Sequence, residues 1–183
     1  MTTRRLAATW ALAAALLPLP SLAALDIGER APDFSTTAAQ AGKQFQFSLA
    51  AALAKGPVVL YFFPAAFSEG CSIEAHNFAE AIGQFEALGA TVIGVSRDDI
   101  EMLSRFSVQV CNGKFPVASD ESMAIARSFD AVMQQRPDYA NRVSYVIAPS
   151  GKVAYSYLSL NPARHVQNTL AALKSLAQRT AAK

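Results

Sequence analysis

The clearest pattern in the sequence is a set of short apolar runs, each of the length of one strand. Residues 57–63 and 90–96 are almost continuously apolar, and residues 142–147 alternate before they turn apolar. Runs without polar alternation are typical of strands that are covered on both faces. The pattern therefore predicts a sheet whose inner strands are buried between layers of helices.

Apolar residues at helical spacing lie between and after these runs. They predict long helices over residues 71–88 and 100–110, and a last helix from residue 161 onward. Shorter helices are predicted over residues 49–54 and 121–129, each after a serine or aspartate that can cap a helix. Helices that alternate with strands favour a parallel sheet core with right-handed crossovers.

Turn signals add two antiparallel hairpins to this core. Residues 33–37 and 43–47 flank a glycine-containing turn, and residues 153–158 return after the 142–147 run. We place a short strand over residues 115–118 at an edge, because its proline cannot donate to a ladder. The expected fold class is α/β, with a mixed central sheet, helices on both faces and an N-terminal β-hairpin.

The first 23 residues have the layout of a secretory signal peptide. Two arginines are followed by an apolar run over residues 6–20 and by small residues up to Ala23. A membrane anchor is the alternative, but the run is shorter than the ~20 residues that span a bilayer. We therefore expect cleavage after Ala23, one domain over residues 24–183, and an exported, periplasmic protein.

The charge of the mature segment argues against two classes of partner. The chain has 16 Lys and Arg residues and 14 Asp and Glu residues. Two of the arginines lie in the predicted signal peptide, so the mature segment has 14 basic and 14 acidic residues. Without a basic stripe we expect no nucleic-acid partner. No second apolar segment is long enough to predict stable membrane insertion after signal removal.

One of the two cysteines, Cys71, lies where a predicted loop becomes a helix. The unpaired amide groups in the first turn of a helix favour a thiolate. The loop over residues 64–70 ends in small and polar residues, so we expect the helix start to face solvent. A small buried apolar role, the usual one for a free cysteine, is thereby disfavoured. We predict that Cys71 is a nucleophile.

Two residues of the preceding loop are candidates for the same site. Ser68 lies three residues before Cys71 and could bond the thiolate or a substrate oxygen, or act only as a turn or N-cap serine. Pro64 could shield one side of the thiol from water, or only terminate the strand.

A charged partner for Cys71 is harder to predict from spacing. Arg142 precedes a predicted central strand and could approach the thiolate, but spacing alone equally allows a surface role or three rivals, Arg97, Arg105 and Arg127. Glu74, one turn after Cys71, could hold an arginine by an ion pair or only favour the helix start.

No metal site and no cofactor are expected. His76 and His165 are isolated in the sequence, and two cysteines with two histidines at this spacing do not form a zinc pattern. The sequence has no glycine-rich phosphate loop. The second cysteine, Cys111, makes a disulfide possible, either structural or formed and broken during turnover.

One loop-to-helix segment resembles the Pro-x-x-x-Thr/Ser-x-x-Cys motif of peroxiredoxins. Residues 64–71 read Pro-Ala-Ala-Phe-Ser-Glu-Gly-Cys, and the chain continues with Ser-Ile-Glu-Ala. Residues 28–34 and 142–153 also resemble this family, and the likeness is greatest to its bacterioferritin-comigratory, or Q-type, subfamily. The resemblance implies a thioredoxin-like fold and a peroxidase that uses no metal or haem.

The resemblance also implies a role for each residue of the site. Cys71 is expected to be the peroxidatic cysteine, with Pro64, Ser68 and Arg142 completing its pocket. It would attack hydrogen peroxide or an organic hydroperoxide and become a sulfenic acid, which a second thiol can trap as a disulfide. The expected partners are the hydroperoxide and a dithiol reductant of thioredoxin type, and the expected assembly is a monomer or weak dimer.

Two positions depart from the family pattern. Its usual threonine is Ser68 here, which keeps the hydroxyl. Many Q-type members carry a resolving cysteine where this chain has His76, which leaves Cys111 as the candidate. Bridging needs Cα atoms within ~7 Å, so we expect the Cys71 and Cys111 helix ends to unwind. The alternative is a one-cysteine mechanism with an outside thiol.

Two other functions are compatible with the residues. A thiol–disulfide exchange protein on the same fold is disfavoured by the absence of a Cys-x-x-Cys pair, which keeps two thiols within reach of each other. A non-catalytic thioredoxin-like binding module would use Cys71 and Cys111 only as a structural bridge. Loss of peroxide consumption on replacing Cys71 would separate the peroxidase from this module.

Overall fold

A computed structural model describes residues 24–181, which fold around one seven-stranded sheet. The strands are β1 (Ser35–Gln40), β2 (Lys43–Ser48), β3 (Val58–Phe62), β4 (Thr91–Ser96), β5 (Val117–Ser119), β6 (Val143–Ile147) and β7 (Val153–Leu158). The helices are α1 (Leu49–Leu53), α2 (Glu69–Ala87), α3 (Ile100–Gln109), α4 (Ala124–Ser128) and α5 (His165–Ala181), the last preceded by a 3-10 turn (Pro162–Arg164). The predicted signal peptide, residues 1–23, lies outside the described residues.

The sheet is mixed, as the sequence predicts. Its strand order is β2-β1-β5-β4-β3-β6-β7. The central strands β3, β4 and β5 are parallel and are joined by α2 and α3, whereas the remaining neighbours are antiparallel. This is the arrangement expected when helical crossovers join inner strands and hairpins extend the edges.

The helices cover both faces of the sheet, which confirms the layered prediction. Alternate residues of β3 point to opposite faces, with Val59 and Tyr61 on one side and Leu60 and Phe62 on the other. The first side packs against α2, α3 and α5, and the second against the short helices α1 and α4. All five residues of β3 are fully buried. Their continuous apolar character is explained by this two-sided cover.

The short strand with the proline is an interior strand, so the edge prediction is wrong. Strand β5 lies between β1 and β4. It begins at Val117, one residue after Pro116, and the Pro116 carbonyl accepts a hydrogen bond from the Gly94 amide at 3.1 Å. The proline therefore sits at the strand's entrance, where its missing N–H removes no ladder bond.

Two other boundaries differ from the pattern-based expectation. The N-terminal hairpin is confirmed, but its turn is only Ala41 and Gly42, both with positive φ (50° and 78°). Helix α4 begins later than predicted because Met123, just before it, adopts a left-handed conformation (φ 59°). The Asp120 carboxylate accepts a hydrogen bond from the Ile125 amide in the first turn of this helix. Among residues 24–181 no helix is both long and apolar enough to cross a membrane.

The topology places the start of β6 beside the end of β3. The two strands are antiparallel, and Phe62 pairs with Val143. Arg142 immediately precedes β6, and α2 begins a few residues after β3 ends. The residue before β6 and the first turn of α2 are therefore at the same end of the sheet.

Candidate active site

Cys71 is the third residue of α2, in the helix's first turn, as predicted. Ser68 is the N-cap residue and Glu69 the first helical residue. The expectation that this helix start faces solvent is wrong for the thiol, because Cys71 is only 1% exposed. Its side chain lies in the apolar cluster between the sheet and α2, together with Phe63 and Phe78. A buried thiol of this kind needs a specific polar partner to ionise.

Arg142 is the polar side chain that contacts the Cys71 thiol. Its Nη2 donates to Cys71 Sγ at 3.3 Å, and the arginine is itself only 5% exposed. The other guanidinium nitrogens are held as well, because Nε donates to the Leu160 carbonyl at 3.0 Å and Nη1 to the Gly70 carbonyl at 3.4 Å and to Glu74. The guanidinium is thus fixed by the backbone on two sides and by one carboxylate.

The three rival arginines lie elsewhere on the surface. Arg97 pairs with Asp138, Arg105 contacts the Met102 sulfur, and Arg127 donates to the Ser122 carbonyl. None of them is recorded in contact with Cys71 among the residues that the structure describes.

Glu74 makes a buried ion pair with Arg142 and is 0% exposed. Of the two roles considered for Glu74, the structure therefore supports the ion pair with an arginine and not merely a favourable acid near the helix start. Burial raises the pKa of Glu74 to about 7, against the opposing effect of Arg142. Burial also opposes the charge on Arg142, but Glu74 and Cys71 outweigh it and raise the pKa of the guanidinium.

The loop before α2 is held by its own hydrogen bonds. The Ala66 amide donates to Asp98 Oδ2 at 2.7 Å, and the Ser68 hydroxyl donates to the Ala65 carbonyl at 2.9 Å. Ser68 is exposed and, within residues 24–181, makes no recorded hydrogen bond to Cys71. Pro64 is half-buried directly after β3. The structure therefore places Ser68 in a turn, with its hydroxyl lone pairs still able to accept.

Cys111 has very different surroundings. It lies just beyond α3, is fully buried, and its amide donates to the Phe106 carbonyl at 3.2 Å. Burial alone raises the pKa of the Cys111 thiol to about 12. Cys71 and Cys111 are both free thiols in this structure.

One aromatic residue contacts both cysteine-bearing segments. The Phe106 ring stacks on Phe63 with centroids 5.6 Å apart and meets Phe67 edge-on at 5.2 Å. Its carbonyl accepts from the amides of Val110 and Cys111. Phe67 belongs to the loop that leads to Cys71 and has a positive φ of 61°.

The sequence reading missed a buried histidine behind Glu74. His165, the first residue of α5, is 0% exposed, and its Nδ1 lies 3.3 Å from Glu74 Oε1. A signal was present in the spacing, because His165, Thr169 and Leu173 recur every four residues and all are buried. His76, in contrast, is exposed.

No group of three or more potential metal ligands from His, Cys, Asp and Glu occurs within the described part of the chain. The chemistry available at this end of the sheet is that of a thiol, a guanidinium and a buried carboxylate. Such a thiol–guanidinium pair suits nucleophilic attack by sulfur with charge stabilisation.

Comparison with known sequences points to one family. Residues 27–156 match the AhpC/TSA family. The chain is 31% identical over 127 residues to peroxiredoxin Bcp from Xanthomonas campestris pv. campestris, a match that covers 66% of this chain and 78% of that protein. It is 32% identical over 121 residues to the chloroplastic peroxiredoxin Q from Oryza sativa subsp. japonica, which covers 66% of this chain but only 55% of the rice protein.

Solved structures show the same fold. Peroxidoxin BcpB from Mycobacterium tuberculosis superposes with a TM-score of 0.72 at 27% identity, over 81% of this chain and 96% of that one. Peroxiredoxin Q from Xanthomonas campestris gives a TM-score of 0.67 at 29% identity, over 77% and 90% of the two chains. The thioredoxin-like fold expected from the resemblance is confirmed. The chain therefore belongs to the AhpC/TSA family, and it is a peroxiredoxin, an enzyme that reduces peroxides through a cysteine thiol.

Proposed function

We propose that Cys71 is the peroxidatic cysteine and that Arg142 stabilises its thiolate. The observation that carries the proposal is the hydrogen bond from Arg142 Nη2 to Cys71 Sγ at 3.3 Å in a buried site. A charge-assisted donor in a dry environment favours the ionised sulfur much more than the same donor would in water. The first turn of α2 adds its unpaired amide groups.

The proposed reaction is attack of the Cys71 thiolate on the terminal oxygen of a hydroperoxide. The S–O bond forms as the O–O bond breaks, Cys71 becomes a sulfenic acid, and the leaving alkoxide or hydroxide takes up a proton. Negative charge moves from sulfur to the leaving oxygen, so donors already aimed at this region lower the barrier. Arg142 is one such donor, and the Ser68 hydroxyl is a second if it turns away from the Ala65 carbonyl. Pro64, half-buried directly after β3, is the residue proposed to shield one side of the thiol from water.

Cys111 is the proposed resolving cysteine. Its thiol would condense with the Cys71 sulfenic acid, forming the S–S bond and releasing one water. Both thiols are buried, and the pKa of Cys111 is raised by burial. Local unfolding of the first turn of α2 and of the segment after α3 is therefore part of the proposal, since the exposed Cys111 thiol would recover its ordinary acidity.

The remaining steps concern partners and location. A dithiol reductant of thioredoxin type would attack the Cys71–Cys111 disulfide and restore both thiols. Hydrogen peroxide and organic hydroperoxides are the proposed substrates, and a monomer or weak dimer is the proposed assembly.

The N-terminal segment supports export to the periplasm, with cleavage after Ala23. N-terminal sequencing of the protein recovered from the periplasmic fraction tests this cleavage, and an uncleaved cytoplasmic chain would contradict it.

Two cysteine variants test the catalytic proposal. Peroxide consumption with a thioredoxin system should be abolished in Cys71→Ser, whereas Cys111→Ser should complete one turnover and accumulate sulfenic acid at Cys71. Peptide mapping of the oxidised wild type without reducing agent should recover a Cys71–Cys111 peptide. Sustained turnover by Cys111→Ser would show instead that an outside thiol resolves Cys71.

A further inference from the structure

The buried histidine His165 is held by three groups besides its own helix. Its Nε2 lies 2.9 Å from the Ser159 carbonyl, and its Nδ1 lies 2.8 Å from Ser144 Oγ and 3.3 Å from Glu74 Oε1. The Tyr157 ring packs edge-on at 4.8 Å. The imidazole thus connects α5 to the carboxylate that pairs with Arg142.

The geometry determines how many protons this pair holds. A carbonyl oxygen only accepts, so His165 Nε2 carries a proton toward Ser159. Glu74 Oε1 makes no hydrogen bond to any described residue, yet it faces Nδ1 at 3.3 Å. The Ser144 hydroxyl can donate to Nδ1, but no described group donates to Oε1, and a carboxylate oxygen that faces the acceptor side of Nδ1 in a buried site is repelled. One further proton, on Oε1 or on Nδ1, removes the repulsion and leaves the pair with no net charge.

We propose that His165 is a positioning residue that keeps one proton on the Glu74–His165 pair, so that the Cys71 thiolate becomes the counter-ion of Arg142. The inference rests on the proposed role of Cys71. A buried guanidinium needs one anion nearby. With the shared proton held by the pair, Glu74 Oε2 still accepts from Arg142 Nη1, but the pair as a whole supplies no net negative charge, so that anion is the sulfur.

His165 also holds the backbone that orients Arg142. Its Nε2 bonds to the Ser159 carbonyl, and the next carbonyl, of Leu160, accepts from Arg142 Nε at 3.0 Å. The Ser159 amide in turn donates to the Arg142 carbonyl at 3.2 Å. A shift of this segment would therefore change the direction in which Nη2 points.

The other ionisable groups around the pair do not compete for this role. Tyr61 of β3 and Tyr157 of β7 are the neighbouring phenols. Burial raises the pKa of Tyr61 well above its ordinary value, so it is neutral. Burial lowers the pKa of His165 to about 4, which favours placing the shared proton on Glu74. Arg142, the residue before β6, is then the cation whose charge remains for Cys71.

The first experiment measures the ionisation of Cys71 without requiring turnover. The reduced protein is alkylated with iodoacetamide across the pH range 4–9, and the label on the Cys71 peptide is quantified by mass spectrometry. His165→Gln and His165→Leu should shift the midpoint upward by about one pH unit and slow the reaction with hydrogen peroxide about tenfold or more. The exposed His76→Gln variant is the matched control and should behave as wild type.

A double variant separates this role from a merely structural one. In His165→Leu, Glu74 ionises and competes with Cys71 for Arg142, so adding Glu74→Gln should return the Cys71 midpoint toward the wild-type value. A midpoint that stays high in the double variant, or a folded His165→Gln variant with the midpoint of His76→Gln, would overturn the proposal. Circular dichroism and melting temperature establish that each variant is folded.

A spectroscopic test on the unaltered protein covers the case in which no variant at position 165 folds. The chain has two histidines, so His76→Gln assigns their ring signals. Nitrogen-15 and carbon-13 NMR should show a protonated His165 Nε2 and one additional proton on the pair. An ionised Glu74 carboxylate together with a neutral His165 ring would overturn the proposal. If the wild-type protein showed no peroxidase activity, the proposed function would be contradicted, but the NMR result for Glu74 and His165 would stand.

Discussion

Cys71 and Cys111 belong to the same apolar cluster and are 1% and 0% exposed. Cys71 faces a guanidinium nitrogen at 3.3 Å and lies in the first turn of a helix. Cys111 lies beyond the end of a helix, and burial raises its thiol pKa to about 12. The two thiols are thus buried to the same degree, but only Cys71 has a charged donor among residues 24–181.

Solvent exposure therefore does not distinguish the thiol proposed to be reactive from the other one. Burial by itself disfavours a thiolate, and a buried cation reverses that effect because the low dielectric strengthens their attraction. The same apolar surroundings thus stabilise a neutral thiol at Cys111 and would strengthen the proposed charge pair between Cys71 and Arg142. The following predictions test each half of this contrast, from the largest expected effect to the smallest.

The largest expected effect is the protection of Cys111. With its pKa raised to about 12, its thiolate fraction at neutral pH is roughly a thousandfold lower than in an unfolded chain. Iodoacetamide should therefore label Cys111 about a thousandfold more slowly in the folded, reduced protein than in urea, and label Cys71 first. Equal labelling of the two cysteines in the folded protein would break the comparison.

Removal of the cation should have the next largest effect. Arg142→Met should lower the rate with hydrogen peroxide by about 100-fold or more, because a preorganised donor to the reacting sulfur is lost. Arg105→Met, on the exposed face of α3, is the matched control. Stopped-flow measurement of peroxide loss under single-turnover conditions gives the rates, and a wild-type rate in Arg142→Met would refute the charge-pair argument.

Glu74 should make stability depend on pH. Its pKa is raised to about 7 in the folded state and is ordinary in the unfolded state. Its contribution is therefore full below the ordinary pKa and is lost as the pH rises through about 7. Between pH 5 and pH 8 the wild type should lose about 2 kcal/mol of unfolding free energy relative to Glu74→Gln.

Urea unfolding of the reduced proteins at the two pH values measures this difference. Glu80→Gln changes an exposed glutamate of the same helix and should reproduce the wild-type pH dependence. Parallel curves for the wild type and Glu74→Gln would mean that Glu74 ionises normally in the folded protein.

The smallest expected effect comes from a methyl group. A Cβ at Gly70 would lie 3.1 Å from Arg142 Nη2, so Gly70→Ala should displace the guanidinium slightly and slow the peroxide reaction less than about tenfold. Gly83→Ala, in the same helix with nothing within 4 Å of the added atom, should keep the wild-type rate. Both changes favour the helix by up to ~1 kcal/mol. A lower rate in Gly70→Ala alone, without a lower melting temperature, would therefore be due to the contact between the added methyl group and Arg142.

Much of the fold could be predicted because local patterns decide it. The continuous apolar character of residues 57–63 and 90–96 identifies β3 and β4, since strands covered on both faces have no polar alternation. The position of Cys71 in the first turn of α2 also followed from local sequence. The edge prediction for the strand after Pro116 fails because a proline one residue before a strand and a proline within an edge strand look alike in sequence.

The site was less predictable because it depends on strand pairing. Arg142 reaches Cys71 only because β6 is antiparallel to β3 and begins beside its end, a fact that residue spacing does not contain. The burial of Cys71 was missed because the polar loop before it suggested an open helix start. His165 looks isolated in the sequence because its partner Glu74 is far away along the chain, although its spacing with Thr169 and Leu173 places it on the buried face of the last helix.

The contacts of Phe106 have a consequence for the timing of disulfide formation. Its ring supports the loop before Cys71 through Phe67, while its carbonyl holds the Cys111 amide. If the Phe106 ring left this position, the loop before Cys71 and the segment that carries Cys111 would both become less ordered at the same time. We expect hydrogen exchange at the two segments to accelerate together in Phe106→Leu. Phe106 would then couple the two local unfolding events, so that the proposed Cys71 sulfenic acid and the Cys111 thiol become exposed at the same time.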